Sequence, residues 1–496
     1  MNGPVRRTGR KAASRSSGGR TPSELPSPSE RAARLRETVR SGSVPDLGPL
    51  LKALSDPVAG VRETAAVAIG ILRDPRGCTT LSAALTDPDP GVRAAAADAL
   101  AAIGRRETGS ALEPLLRDPE PKVRERAARA LAQLAALTSV DALIARANDD
   151  NPEVRAAVAA ALGAIGTDEA IRALECRLAD PWDRVRREAV LGLGRAPGPG
   201  QLARIRPFLN DPARRVRAAA SIVVGLHHDR ASVRPLLALL LGTETWEKPA
   251  VLVALGRIGD RRAVPAIVRA AESPASWVRV CAIHALGEMG APEGAPVARS
   301  LLIDPAASVR GAAALALGSI GSGDDEERLR RLLDDPHPWP RRGAAYALGL
   351  LRVVSSAPRL REALNDPAAE VRLAAVWALG RLGDDGAWDA LVRMLRDCGP
   401  RSPPSHPAAG AEASLATDAE TRLFDATVQA LGRLAGGVPD PVAHRALAMA
   451  RSRLSEEELD RRARLPLPEV GVERDVPTVR ALFEAAMPRA FEDGES

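Results

Sequence analysis

The sequence predicts an all-α fold, a right-handed α-α superhelix (solenoid) of eleven to twelve 31-residue two-helix repeats. Three observations carry this. A Val-Arg pair recurs at a fixed period. Of the nine Val-Arg copies, all but one have an Asp five residues before the Val, and all but two have a Gly nine residues after it. Aromatic residues are only 2% of a chain that is 45% hydrophobic, so the core is built from Ala, Leu and Val. That composition excludes a disordered chain and disfavours a β-sandwich, whose strands favour aromatic and β-branched residues.

The Val-Arg pairs stand at Val61-Arg62, Val92-Arg93, Val123-Arg124, Val154-Arg155, Val185-Arg186, Val216-Arg217, Val278-Arg279, Val309-Arg310 and Val371-Arg372. Each interval is 31 residues or a multiple of it. Glu247-Lys248 and Pro340-Arg341 fill the skipped registers, so eleven registers are consecutive. A twelfth, weaker copy ends at Ala430-Leu431-Gly432. It is displaced by about 21 residues through a Pro/Ser/Gly-rich stretch around Arg401–Ala411, which reads as a surface loop.

Within a unit, Asp followed by Pro reads as a helix start, the Asp capping free N–H groups and Pro suiting the first helical position. The second helix then runs through segments such as Val154–Gly166, and stretches such as Val264-Pro265-Ala266-Ile267-Val268 give the first. At 100° per residue, the Val slot and the positions 4, 7, 8 and 11 beyond it share one apolar face. A helix pair cannot bury that face alone, so units must stack. At roughly 10 Å per layer, eleven units make a rod or arc on the order of 100 Å long.

The expected organisation is a disordered basic tail over 1–28, a capping helix over 29–43 and the repeat array over 44–396. An insertion loop follows over 397–418, then a degenerate last repeat and cap over 419–454. The C-terminal tail, 455–496, contains an amphipathic helix over 478–487. In that helix Val479, Leu482, Phe483, Ala486 and Met487 fall on one face and Pro488 ends the pattern. It suits docking to a partner or covering the last repeat. Ser455 with Glu458 forms a capping box for a short helix before it.

Units such as Asp304-Pro305-Ala306-Ala307-Ser308-Val309-Arg310 followed by Ala316-Leu317-Gly318-Ser319-Ile320-Gly321 resemble the HEAT repeats, in particular the short, phycobilisome-lyase-like variety, over about residues 44–436. The resemblance implies a ladder of Asp–Arg contacts within and between repeats. The residues placed in it are Asp56, Arg62, Asp87, Arg93, Asp118, Arg124, Asp180, Arg186, Asp211, Arg217, Asp304, Arg310, Asp366 and Arg372. It also implies that the second helix lines the concave surface. The family holds scaffolds, bilin lyase subunits and deoxyhypusine hydroxylase, so it leaves function open.

By the same angular count, the positions one before and six after the Val slot face away from the core. One before it stand Trp246, Trp277 and Trp339. Six after it stand His284, Tyr346 and Trp377, preceded along the array by Val67, Asp98, Arg129, Ala160, Leu191, Ile222 and Val253. Five of the chain's eleven aromatic residues fall on this stripe. It reads either as a groove for an apolar peptide, helix or flat ligand or as side chains sealing gaps between irregular repeats.

Signals for catalysis are sparse. None of the four Lys (Lys11, Lys52, Lys122 and Lys248) precedes the Ser/Thr of a phosphate-binding loop. Gly192-Leu193-Gly194 lacks the third glycine of a dinucleotide fingerprint. The hydroxylase branch holds a di-iron centre through His-Glu pairs, and none of the six His precedes a Glu here. His227-His228-Asp229 offers a weak metal reading, but it ends a repeat helix, where His is common. Cys78, Cys176, Cys281 and Cys398 show no C-x-x-C spacing, and Cys281 is expected to pack between repeats. No catalytic residue, metal or cofactor is expected.

The formal charge is +6, from 69 Lys+Arg against 63 Asp+Glu. Residues 1–23 hold Arg6, Arg7, Arg10, Lys11, Arg15 and Arg20 and no acid, so the rest of the chain balances. The tail suits a tether to nucleic acid or an acidic surface, or an inert solvated extension; its Arg- and Ser-rich makeup also fits a transit peptide. A patch at Arg184, Arg186, Arg187, Arg214, Arg215 and Arg217 is a local candidate for the same contact. No uncharged apolar run reaches about 18 residues and no secretory leader is read. The expectation is a cytoplasmic, non-enzymatic scaffold whose partner is another protein, with a lyase or oxidoreductase of the bilin-lyase or deoxyhypusine-hydroxylase kind as the alternative, one that the absence of His-Glu pairs disfavours.

Overall fold

Each 31-residue unit folds as a helix pair, and the structure, a computed structural model, describes residues 27–40, 47–195, 199–242 and 247–397 together with Thr427 and Ala430. Among the described residues there are 24 α-helices and no strand. The second helix of the fourth unit, Pro152–Ile165, shows how sequence produces element. Pro152 stands at its first position, and the Asn151 side chain accepts from the N–H groups of Glu153 and Val154. Gly166, at φ +71°, closes it in the left-handed conformation that glycine adopts without steric cost. Val154, Val158, Ala161 and Leu162 on the expected face are fully buried.

The Asp-Pro pair has a different part from the expected one. The second helix of the first unit starts at Ala59, three residues after Asp56, and that of the ninth starts at Ala307, three after Asp304. Each aspartate instead accepts the N–H two residues on, as in Val58 to Asp56 at 2.9 Å and Ala306 to Asp304 at 2.8 Å. Asp-Pro therefore builds an Asx turn that aims the chain into the helix. Its carboxylate stays available for a second partner.

The two layers pack unequally. Second helices lie directly on one another along the array, whereas first helices of successive units scarcely touch. The glycine column makes this approach possible: a Cβ on Gly70 would lie 2.8 Å from the Cα of Ala99, and one on Gly225 2.6 Å from that of Ala254. The second helices thus form a continuous layer, the one that the resemblance implies as the inner surface.

Both ends extend the pattern. Helix Pro28–Arg40 packs on helix Ala59–Leu72 as a second helix of a preceding unit would. At the other end, helix Trp388–Asp397 opens a twelfth unit, and Ala430 lies against Gly380 in the place Ala378 takes against Gly349. Gly349 and Ala378 are 29 positions apart and Gly380 and Ala430 are 50, so 21 residues are inserted before Ala430. Most of the tail over 1–28, the insertion over 397–418 apart from Asp397, and the segment over 478–487 lie outside the described residues.

Candidate interaction surface

The arginine column is engaged between units. Arg62 donates through Nε and Nη2 to the two carboxylate oxygens of Asp87 at 2.7 Å each. Its Nη1 donates back to the carbonyls of Asp56 (2.9 Å) and Pro57 (3.2 Å). The same forked contact joins Arg93 to Asp118, Arg124 to Asp149, Arg155 to Asp180 and Arg186 to Asp211. It continues from Arg279 to Asp304, Arg310 to Asp335 and Arg341 to Asp366. Within a unit, then, the arginine meets the aspartate's carbonyl and not its carboxylate. Arg372 keeps that link, to the carbonyls of Asp366 and Pro367. Arg31 adds a rung to Asp56 at 2.8 Å, one that no Val-Arg pair announces because Glu30 precedes it.

Burial alone would raise the carboxyl of Asp87, but the Arg62 guanidinium and the Asp89 N–H outweigh it and hold it below the ordinary carboxylate range. The column is interrupted in the middle. Arg217 would reach position 242, which is Gly, and it pairs with Glu247 instead. Lys248 replaces arginine one unit later, and Ser273 stands where its aspartate would be. Fixed between carboxylates and carbonyls, the column is not a free basic stripe.

The basic patch is likewise occupied. Arg184 pairs with Glu153 (2.6 Å), Arg186 with Asp211 (2.8 Å), Arg187 with Glu188 (2.8 Å) and Arg217 with Glu247. Arg214 and Arg215 are also engaged.

The stripe expected to face outward is split. Trp339 is 42% exposed, at the start of helix Pro338–Leu350. Tyr346 and Trp377 are buried, at 3% and 4% exposure, which corrects their expected outward orientation. The cause is lateral packing. The Trp377 ring lies beside Gly349 of the preceding unit, 2.8 Å from where a Cβ would stand, and meets Tyr346 edge-on with centroids 5.3 Å apart. Trp277 is half-buried against the core, and Trp246 lies outside the described residues.

The His284 side chain is 11% exposed, with Nδ1 3.7 Å from Glu288 Oε2 and no hydrogen bond on either ring nitrogen. Burial, with Arg257 adding to it, pushes its pKa down to about 4, so the imidazole is neutral near pH 7. Elsewhere on the inner layer apolar side chains do reach solvent. Val67 and Ile71 in the first unit are 47% and 60% exposed, and Ile222 and Leu226 in the sixth 37% and 47%. Positions ten after the Val slot, Ile71 and Leu226, were not singled out from sequence; the same angular count carried one turn further finds them.

The remaining candidates are structural. His227 Nε2 donates to the carbonyl of Gly194 at 2.6 Å and His228 Nδ1 to that of Arg257 at 2.5 Å. Asp229 is held by Arg206 and Ser232. Burial pushes the Cys281 thiol up to about 12, the state of a packed rather than a reactive cysteine. Among the described residues no three His, Cys, Asp or Glu gather as metal ligands, and no helix is long and apolar enough to cross a membrane.

Comparison with known proteins places this geometry. The family model for HEAT repeats matches residues 47–120, 109–194, 244–318, 278–348 and 326–402, more than half of the chain. None of the curated proteins matches the sequence. Among solved structures, the Kap95:Nup1 complex aligns with a TM-score of 0.60 at 14% identity, covering 87% of this chain and 69% of the other. Importin beta in an ammonium sulfate condition is 15% identical over 86% of this chain and 70% of its own, with a TM-score of 0.47. The complex of CpcE and CpcF of phycocyanin lyase from Nostoc sp. PCC7120 is 23% identical over 45% of this chain and 92% of its own, with a TM-score of 0.33.

Proposed function

The chain belongs to the HEAT-repeat family, and on that premise we propose that it is a non-enzymatic scaffold that binds another protein along its inner, second-helix surface. The observation that carries this reading is the exposure of Ile222, Leu226 and Trp339 on the second-helix layer. Ile222 and Leu226 are one turn apart on one helix, so they put two adjacent apolar side chains in water on that layer, where a partner's apolar side chain would cover both. The paired arginine column points the same way, because it withdraws the cations a nucleic-acid groove would need. The Kap95:Nup1 neighbour is itself a complex, which supports partner binding by this architecture.

The test is affinity capture from native cells with the full chain. A partner retained by the unaltered chain is expected to be lost with Ile222→Asp plus Leu226→Asp, and weakened with Trp339→Ala. Capture unchanged in both variants, with helical circular dichroism preserved, removes the inner surface as the binding site.

A further inference from the structure

One rung of the ladder lacks both its guanidinium and its carboxylate. Lys248 and Ser273 take the slots that Arg155 and Asp180 fill three units earlier. The backbone around both slots keeps the geometry of the other units. A Cβ on Gly256 would lie 2.9 Å from the Cα of Ala285, the approach Gly70 makes to Ala99, so helix Lys248–Ile258 holds the common register. Ser273 Oγ accepts the N–H of Ala275 at 3.4 Å, as Asp304 Oδ1 accepts that of Ala306. The Ser273 carbonyl accepts from Arg279 Nη1 at 2.8 Å, the contact that the Asp149 carbonyl makes with Arg155.

The cations of the rung are present and its anion is not. Elsewhere each aspartate answers to two cations: Asp56 is lowered by Arg31, which grips it, and by Arg62 of its own unit. At Ser273 the arginine of the same unit is Arg279. The gripping slot holds Lys248, which has no ion-pair partner among the described residues. Reach decides which anion suits it. Lysine ends one atom short of the terminal nitrogens of arginine, and a phosphorylated serine carries its oxygens one atom beyond those of aspartate. Lys248 with phosphorylated Ser273 therefore spans what arginine and aspartate span in the other rungs. The phosphate also supplies a charge of about −1.5 to −2 and three acceptor oxygens.

We infer that Ser273 is a phosphorylation site and that its phosphate closes the rung between the seventh and eighth units. The phosphoryl donor is ATP and the catalyst a protein kinase. Ser273 Oγ attacks the terminal phosphorus, the new O–P bond forms, and the bond to the departing ADP oxygen breaks. The hydroxyl proton passes to the kinase's base. Ser273 is placed for this: it is partly exposed, between exposed Glu272 and Pro274, on the turn from helix Val264–Ala270 to helix Ser276–Glu288. The joint has most to gain here because the preceding rung is thin as well. Arg217 donates through Nη2 to Glu247, and its Nε is buried without a partner.

Peptide mass spectrometry on the full chain purified from its native cells is expected to find phosphate on Ser273. The full chain with phosphoserine genetically encoded at position 273 is then compared with the unmodified chain by hydrogen exchange. Amides of helix Lys248–Ile258 are expected to exchange about tenfold more slowly once the phosphate is present, the worth of one hydrogen bond to a charged group. Lys248→Gln should abolish that slowing. Phosphorus NMR gives a second reading that stays clear if Lys248→Gln loosens the helix. The phosphate should take up its proton at lower pH beside Lys248 than beside the glutamine, because a neighbouring cation favours the more charged form. Native chain without phosphate on Ser273, slowing that survives Lys248→Gln, or one phosphate titration shared by both proteins overturns the inference.

Discussion

Arg155 grips both carboxylate oxygens of Asp180, 25 residues further along the chain, at 2.8 and 3.0 Å, while its Nη1 donates to the carbonyl of Asp149 at 2.9 Å. The two side chains are 12% and 2% exposed. Burial pushes the Asp180 carboxyl up, and the guanidinium and the Trp182 N–H bring it below the ordinary range. Removing one member strands the other, so Arg155→Ala is expected to cost about 3–5 kcal/mol. Asp180→Asn, which keeps an acceptor, should cost less, about 1.5–3 kcal/mol. Urea denaturation of both variants checks this. A change within about 0.5 kcal/mol for Arg155→Ala, the range of ordinary surface substitutions, would show that the rung holds nothing.

The interruption at the seventh unit makes the complementary prediction. Lys248 and Ser273 occupy the arginine and aspartate slots of one rung, 25 positions apart as Arg155 and Asp180 are. Lys248→Arg together with Ser273→Asp should restore the forked contact. Either substitution alone should be neutral or destabilising. The pair should show a favourable coupling of about 0.5–3 kcal/mol in a double-mutant cycle. Strict additivity would mean that the seventh unit holds these two slots in a different geometry from the others.

The period of the sequence made this architecture legible because one residue column does one job in most units. The Val slot fills the core, glycine admits the neighbouring helix, and arginine spans to the next unit. Two things stayed hidden for physical reasons. Arg31 joins the ladder without the pair that marks it, since a rung needs only the guanidinium and its reach, not the preceding valine. Tyr346 and Trp377 fit an outward angle, but the Trp377 ring is large enough to lean onto the preceding second helix, where Gly349 leaves room, and it meets Tyr346 there. An angular count fixes where a Cβ points and not where a long side chain ends. The exposed pair Ile222 and Leu226 carries no unusual residue type, so only burial distinguishes it from the core.

Two glycines separate close approach from mere helix content. A Cβ on Gly349 would stand 2.8 Å from the Cα of Ala378 and from Trp377 Cζ3, whereas one on Gly60 meets nothing within 4 Å. Gly349→Ala must displace backbone and is expected to cost about 1–3 kcal/mol. Gly60→Ala, near the start of helix Ala59–Leu72, gains helix propensity and should stabilise by about 0.5–1 kcal/mol. Similar effects at the two sites, measured by urea denaturation, would contradict the packing seen between second helices.

The buried imidazole of His284 gives the array a pH dependence of definite sign. Its neighbours are Glu288, one turn on in the same helix, and Arg257 on the preceding second helix, which adds to the lowering by burial. The folded pKa of about 4 lies below the ordinary value of 6.5, so between these values the unfolded chain binds a proton that the folded chain refuses. Stability from this group is complete above pH 6.5 and falls as pH drops towards 4. The loss amounts to something on the order of 3 kcal/mol, at 1.36 kcal/mol per pKa unit. His284→Gln removes the titration and should flatten the stability profile in that window. The profile below pH 4, where the depressed rung carboxylates such as Asp56 become protonated, should keep its slope. Urea midpoints of the two proteins at half-unit pH steps check this, and identical slopes between pH 6.5 and 4 would mean that the folded imidazole takes up its proton at the ordinary value.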